Sequence, residues 1–155
     1  MKTMHSWLSE YGESHQNSVN KTIHWICVPS IFFSITGLLY TVKLPFHFPD
    51  GMPFNLAIFV LLAAIIYYFI LSPTLWLGMA LFGFICLEIC KLIEDHVSFP
   101  LWGICIIVFV VAWIGQFLGH KIEGKKPSFL KDLQFLLIGP AWLMSFIYQK
   151  LGVRY

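Results

Sequence analysis

Six histidines punctuate the 155-residue chain, at positions 5, 15, 24, 47, 96 and 120. Neutral imidazole is a good ligand for iron, copper, nickel or zinc. Three imidazoles on one ion leave positions open for water, oxygen or a substrate. Two pairings of a histidine with a polar neighbour at helical spacing stand out. Asn20 precedes His24 by four residues and Glu123 follows His120 by three, separations that place two side chains on one helical face. A carboxylate one turn from a ligand can bind the metal itself or accept the N–H of a ligating ring. For Glu123 we expect the second use, with a salt bridge to a neighbouring lysine as the plainer rival. Which histidines can converge depends on the elements that carry them.

Those elements belong to a membrane. Of the residues 58% are hydrophobic and only 12% charged, against about 45–50% and about 25% in ordinary soluble domains. Eighteen charges cannot coat a water-soluble body of this size. A net charge of +2, with no basic stripe interleaved by aromatics, also argues against nucleic-acid binding. Charge-free runs mark the spans: 22–42, 51–87, 97–119 and 133–149. A crossing helix needs about 20 apolar residues, with a range of about 17–25. Ser72-Pro73 divides the second run, because proline disfavours helix at the residue before it.

The expected fold is an all-α integral membrane protein in a single domain over 1–155. Residues 1–21 form an interfacial leader, and four transmembrane helices lie near 22–42, 54–71, 74–93 and 99–119. A short fifth apolar segment, 133–149, is expected to be a broken half-span, since Gly139-Pro140 sits near its centre. Within the leader, residues 3–16 suit an interfacial helix with Trp7, Leu8 and Tyr11 at headgroup depth.

Lysine distribution then decides which histidines meet. Met1–Lys21 carries two lysines and His120–Asp132 carries four, Lys121, Lys125, Lys126 and Lys131. Lysine and arginine prefer the cytoplasmic side of short loops, and four helices between the two stretches return the chain to the same side. His15, His24 and His120 therefore share one membrane face. His15 and His24 are nine residues apart, about 900° on one unbroken helix, so they face each other only if the chain breaks between them. Asn17, Ser18 and Asn20 are good N-caps for such a restart. His5, in the polar leader, and His47 and His96, in outer loops, are expected to be solvated.

Other reactive side chains have plainer readings. Cys27, Cys86, Cys90 and Cys105 all lie in apolar runs, where free cysteine packs as a small hydrophobe. Glu88 is the sole acid inside a span; Lys91, one turn away, is its expected partner at the outer interface. Gln116, one turn before His120, could hydrogen-bond a ligand or serve helix packing.

Two blocks of sequence carry a resemblance. The string Tyr11-x3-His15-x4-Asn20-x3-His24-x4-Pro29 resembles the opening motif of the Mpo-like family of 2-hydroxy fatty-acid dioxygenases, whose fungal member acts in phytosphingosine breakdown. Trp113-Ile-Gly-Gln116-Phe-Leu-Gly119-His120-Lys-Ile-Glu123-Gly-Lys-Lys-Pro127, continuing through Asp132-Leu-Gln134 to Gly139-Pro140, is similar to the family's other motif. The resemblance implies an iron(II)-dependent membrane oxygenase that cleaves a 2-hydroxy fatty acid with molecular oxygen and shortens it by one carbon, the chemistry of fatty-acid alpha-oxidation. Carried over by position, it implies His15, His24 and His120 as metal ligands. Asn20, Glu123 and Asp132 become the polar residues with catalytic roles. Lys121, Lys125 or Lys126 could pair with the substrate carboxylate, and anionic lipid headgroups attract the same cations.

Competing classes fit less well. Di-iron membrane hydroxylases need clustered histidine boxes, and no two histidines here lie within five residues of each other. A transporter would show paired interrupted helices. A non-enzymatic lipid-binding or scaffolding protein is the remaining alternative. Compact loops and the lack of a retrieval signal point to a bacterial inner membrane rather than the endoplasmic reticulum. Single-cysteine labelling at Ser14 and Ser128, in a cysteine-free background, should report both sites from the cytoplasmic side. Labelling from opposite sides would dismantle the topology and the convergence built on it.

Overall fold

The computed structural model describes residues 3–49, 53–124 and 135–155. Among these, α1 (Met4–Gly12) and α2 (Ser18–Tyr40) precede a hairpin of β1 (Lys43–His47) and β2 (Pro53–Asn55), followed by α3 (Leu56–Leu71), α4 (Leu75–His96), α5 (Leu101–Glu123) and α6 (Ile138–Lys150). Three helices, α2, α4 and α5, are long and apolar enough to cross a membrane; α3, at 16 residues, is shorter. Their outward faces expose Ile66, Ile70, Leu81, Phe84, Val111 and many others, a surface that only lipid would cover without association.

Helix ends follow local chemistry. The Asn17 side chain accepts from the backbone N–H of Val19 and Asn20, so α2 starts four residues before the charge-free run. Asn55 caps α3 by accepting from Ile58 N–H at 3.2 Å. The residues just before it pair antiparallel with β1, a hairpin the sequence reading did not anticipate. Ser72 ends α3 and its hydroxyl accepts from Leu75 N–H. α5 runs four residues past Gly119 and stops at Gly124, whose φ of 72° is the left-handed helix end that glycine adopts without strain.

α2 is the central helix, packed against α3, α4, α5 and α6, with its most extensive contact along α5. Small residues allow the approach. A Cβ added at Gly115 would sit 2.5 Å from Cys27 Sγ, and one at Gly119 would collide with Asn20 Oδ1. Ala112 continues the stripe on the α5 side. The four cysteines are free and buried, as packing residues should be.

The last apolar segment differs from expectation. It is one continuous 13-residue helix, because Pro140 stands in its first turn, where the missing N–H has no helical partner to lose. At about 1.5 Å per residue it spans about 20 Å, too short to cross. It lies over the end of the bundle where α2 begins and α5 finishes. Tyr68 Oη donates to Leu137 O at 2.6 Å, Tyr148 Oη donates to Thr74 O, and Gly78 N–H donates to Tyr148 Oη. α1 packs on α6 through Leu8, Tyr11, Ala141 and Trp142. Leu8 and Tyr11 are therefore buried in protein instead of facing lipid, since α6 covers that side of α1. The expected Glu88–Lys91 pair is also absent; among the described residues no ion pair joins them, and Lys43–Glu94 is the contact formed at that end, at 2.9 Å.

Overpacking a tight helix contact costs about 1–3 kcal/mol. Gly119→Ala should therefore lower the thermal midpoint in detergent by several degrees. Gly12→Ala, whose new Cβ would meet Trp142 at an ordinary 3.5 Å, should leave it nearly unchanged.

Candidate metal centre

His15, His24 and His120 meet at the covered end of the bundle. Each is buried, at 2%, 0% and 8% exposure. Ring centroids are 4.2 Å apart for His15–His24, 5.2 Å for His24–His120 and 5.6 Å for His15–His120. One nitrogen from each ring lies within 4.8 Å of the other two. Two bonds of about 2.1 Å to a common ion span at most about 4.2 Å, so small ring shifts would let the three share one.

Three elements supply the rings. His24 lies in the second turn of α2 and His120 in the last turn of α5. His15 sits in the connector between α1 and α2, where the chain breaks at Gly12 and restarts at Ser18. The backbone fixes two of the rings. His15 Nδ1–H donates to Tyr11 O at 2.6 Å, and His24 Nδ1–H donates to Asn20 O at 3.0 Å. A carbonyl only accepts, so the proton is on Nδ1 and each Nε2 keeps its lone pair. His24 Nε2 is buried and makes no hydrogen bond. A buried bare acceptor facing two other imidazoles suits a cation, and this donor set fits an iron(II) or zinc ion equally by chemistry.

The polar residues singled out beside the histidines take other places. Glu123 does not hydrogen-bond a histidine. Its carboxylate accepts from Gln16 N–H at 2.8 Å, Asn17 N–H at 3.0 Å and Asn20 Nδ2 at 2.9 Å. Backbone carbonyls already hold the rings, and the carboxylate instead ties the end of α5 to the connector that carries His15. Asn20 is fully buried; its Nδ2 also reaches Ser14 O, and Asn17 is the cap. Gln116 is buried one turn from His120. Asp132, with Lys125, Lys126 and Lys131, lies outside the described residues. His5, His47 and His96 are exposed and apart from the cluster.

Two aromatic walls escaped the sequence reading. Tyr11 stacks on His15 at 4.2 Å and 12°, and Trp142 lies 5.3 Å from the same ring. The four-residue spacing of Tyr11 and His15 was a usable signal. Trp142 offered none, because its helix was expected to be broken.

A family model described as 2-hydroxy-palmitic acid dioxygenase Mpo1-like matches residues 1–151. A Saccharomyces cerevisiae protein named 2-hydroxy-palmitic acid dioxygenase MPO1 is 31% identical over 151 residues, covering 96% of this chain and 82% of its own. No solved structure matches.

Glu123→Gln keeps the size of the side chain but leaves one acceptor oxygen where two now serve three donors. Hydrogen bonds to a charged group are the stronger kind. The Gln16 and Asn17 amides should exchange about tenfold faster in the variant, the factor that one such lost bond gives. Unchanged protection by hydrogen-exchange mass spectrometry would show that the clamp is not holding the connector.

Proposed function

The chain belongs to the Mpo1-like family, and we propose that it is a membrane-embedded, iron(II)-dependent dioxygenase of 2-hydroxy fatty acids that returns a product one carbon shorter. The observation that carries this reading is the set of three buried imidazoles with nitrogens inside 4.8 Å. His15, His24 and His120 would hold the iron. Bound there, the metal would supply activation of molecular oxygen, with the positions that protein does not fill left for oxygen and substrate.

The chain's own groups prepare that site. The Tyr11 and Asn20 carbonyls keep His15 and His24 in the ligating tautomer. Tyr11 and Trp142 keep water from the His15 side. Glu123 and Asn20 act by position, locking α5 to the connector. Lys121, exposed one residue beyond His120, offers a cation to a carboxylate arriving at the membrane surface, and the acyl tail lies along the apolar helices. In this reading α3 makes a fourth crossing, which returns the chain to the histidine end before α4, and the histidine end faces the cytoplasm. A bacterial inner membrane is the proposed location.

The test loads detergent-purified protein with iron(II) under anaerobic conditions, then adds oxygen and 2-hydroxypalmitate. Bound iron should approach about one per chain, as for a single three-histidine site, and mass spectrometry should show a product shortened by one carbon. His15→Ala, His24→Ala and His120→Ala should each lose metal and turnover, while His47→Ala and His96→Ala keep both. Full metal occupancy in all three ligand variants would displace the site. A folded chain that binds no iron and leaves the substrate intact would favour a lipid-binding scaffold.

A further inference from the structure

A cavity of about 330 Å³ opens at the end of the bundle away from the histidines. It is remote from the histidines: Tyr40, on its wall, is sixteen residues along α2 from His24, about 24 Å at 1.5 Å per residue. Its volume falls within the range of about 300–1,000 Å³ typical of small-ligand sites. Residues of the β-hairpin, α3, α4 and the end of α2 line it. Its lining mixes apolar side chains, Ile58, Phe84 and Leu87, with charged ones, Lys43, Glu88, Lys91, Glu94 and Asp95.

The charged groups are only partly satisfied. Lys43 is committed, pairing with Glu94 at 2.9 Å and lying 3.8 Å over the Tyr40 ring. Among the described residues, Glu88, Lys91 and Asp95 have no ion-pair partner. On α4 these three follow one another at spacings of three and four, so one helical face reads negative, positive, negative. Glu88 lies eight residues inside the helix end, about 12 Å by the helical rise, in a segment apolar enough to cross a membrane. Unpaired charge at that depth is costly.

We propose that this cavity holds the headgroup of a phosphatidylethanolamine-type lipid, with its phosphate on Lys91 and its ammonium on Asp95, and its acyl chains against Phe84 and Ile58. Charge balance selects the headgroup. Two lysines against three carboxylates leave the lining net negative, so a purely anionic lipid adds to the repulsion while a zwitterion meets both signs. Glu88, one turn inward from Lys91, strengthens that bias. The ammonium is a primary one because the carboxylates can accept its N–H bonds, whereas a quaternary ammonium has no N–H to donate; the Tyr40 face is already taken by Lys43.

Native mass spectrometry of the full chain in detergent, titrated with dioleoyl phosphatidylethanolamine, phosphatidylcholine or phosphatidylglycerol, tests this. The ethanolamine lipid should be retained about tenfold more strongly than either other, the factor expected for one charge-assisted contact. Lys91→Ala should lower its retention by a similar factor. Asp95→Asn should bring ethanolamine and glycerol lipids to near parity, separating ammonium recognition from a general loss of lipid. Lys21→Ala, at the histidine end, should change nothing. Equal retention of all three lipids by the unaltered chain would overturn the proposal, as would full retention of the ethanolamine lipid by Lys91→Ala.

Discussion

The close antiparallel approach of α2 and α5 is the constraint on which the rest of the molecule depends. Inside a bilayer, hydrophobicity does not drive helices together, because lipid tails are as apolar as leucine. Association rests on backbone proximity and a few polar bonds. Gly115, Gly119 and Ala112 supply the proximity against Cys27 and Asn20. Asn20 and Glu123 supply the polar bond at the end of the pair, at 2.9 Å. His24 and His120 face each other because this pair is in register.

The third histidine is held differently. His15 belongs to a short connector, a part of a fold that ordinarily opens most easily. Here its two flanks are tied down: Glu123 takes the Gln16 and Asn17 N–H groups, and Tyr11 both accepts from His15 and stacks on it. α1 is in turn fixed by α6, and α6 by the α3–α4 turn through Tyr68, Tyr148 and Thr74. The order at the histidines thus rests on contacts from every described helix. A short helix that cannot cross a membrane becomes useful here, since it shields the polar end of the bundle.

The two ends contrast in how they treat charge. At the histidine end, Asn20 Nδ2 and the Glu123 carboxylate are bonded to the connector, and one nitrogen from each imidazole converges with the others. At the hairpin end, lysines and carboxylates line an open cavity with one ion pair among the described residues. The first arrangement suits a small, high-charge-density ligand and the second a larger amphipathic one. Both ends depend on α4 and α2 running the full length between them.

Much of this was legible in one dimension. Composition and charge-free runs set the class and the approximate helices, because desolvating a charge in lipid is so costly that spans exclude it. Cap residues located the break between His15 and His24, and lysine distribution put three histidines at one end. Other features needed the third dimension. Glu123 follows His120 by one turn, yet its partners lie more than a hundred residues away in the α1–α2 connector; sequence spacing reports neighbours on one helix, not those on the helix packed against it. Gly139-Pro140 looked like a break until the helix start was fixed at Ile138, because a proline's effect depends on the turn it occupies. The burial of Tyr11 under α6 and the cavity behind the hairpin were likewise decided by which faces met. Local patterns determined where most of the helices lie. Packing decided what each side chain touches.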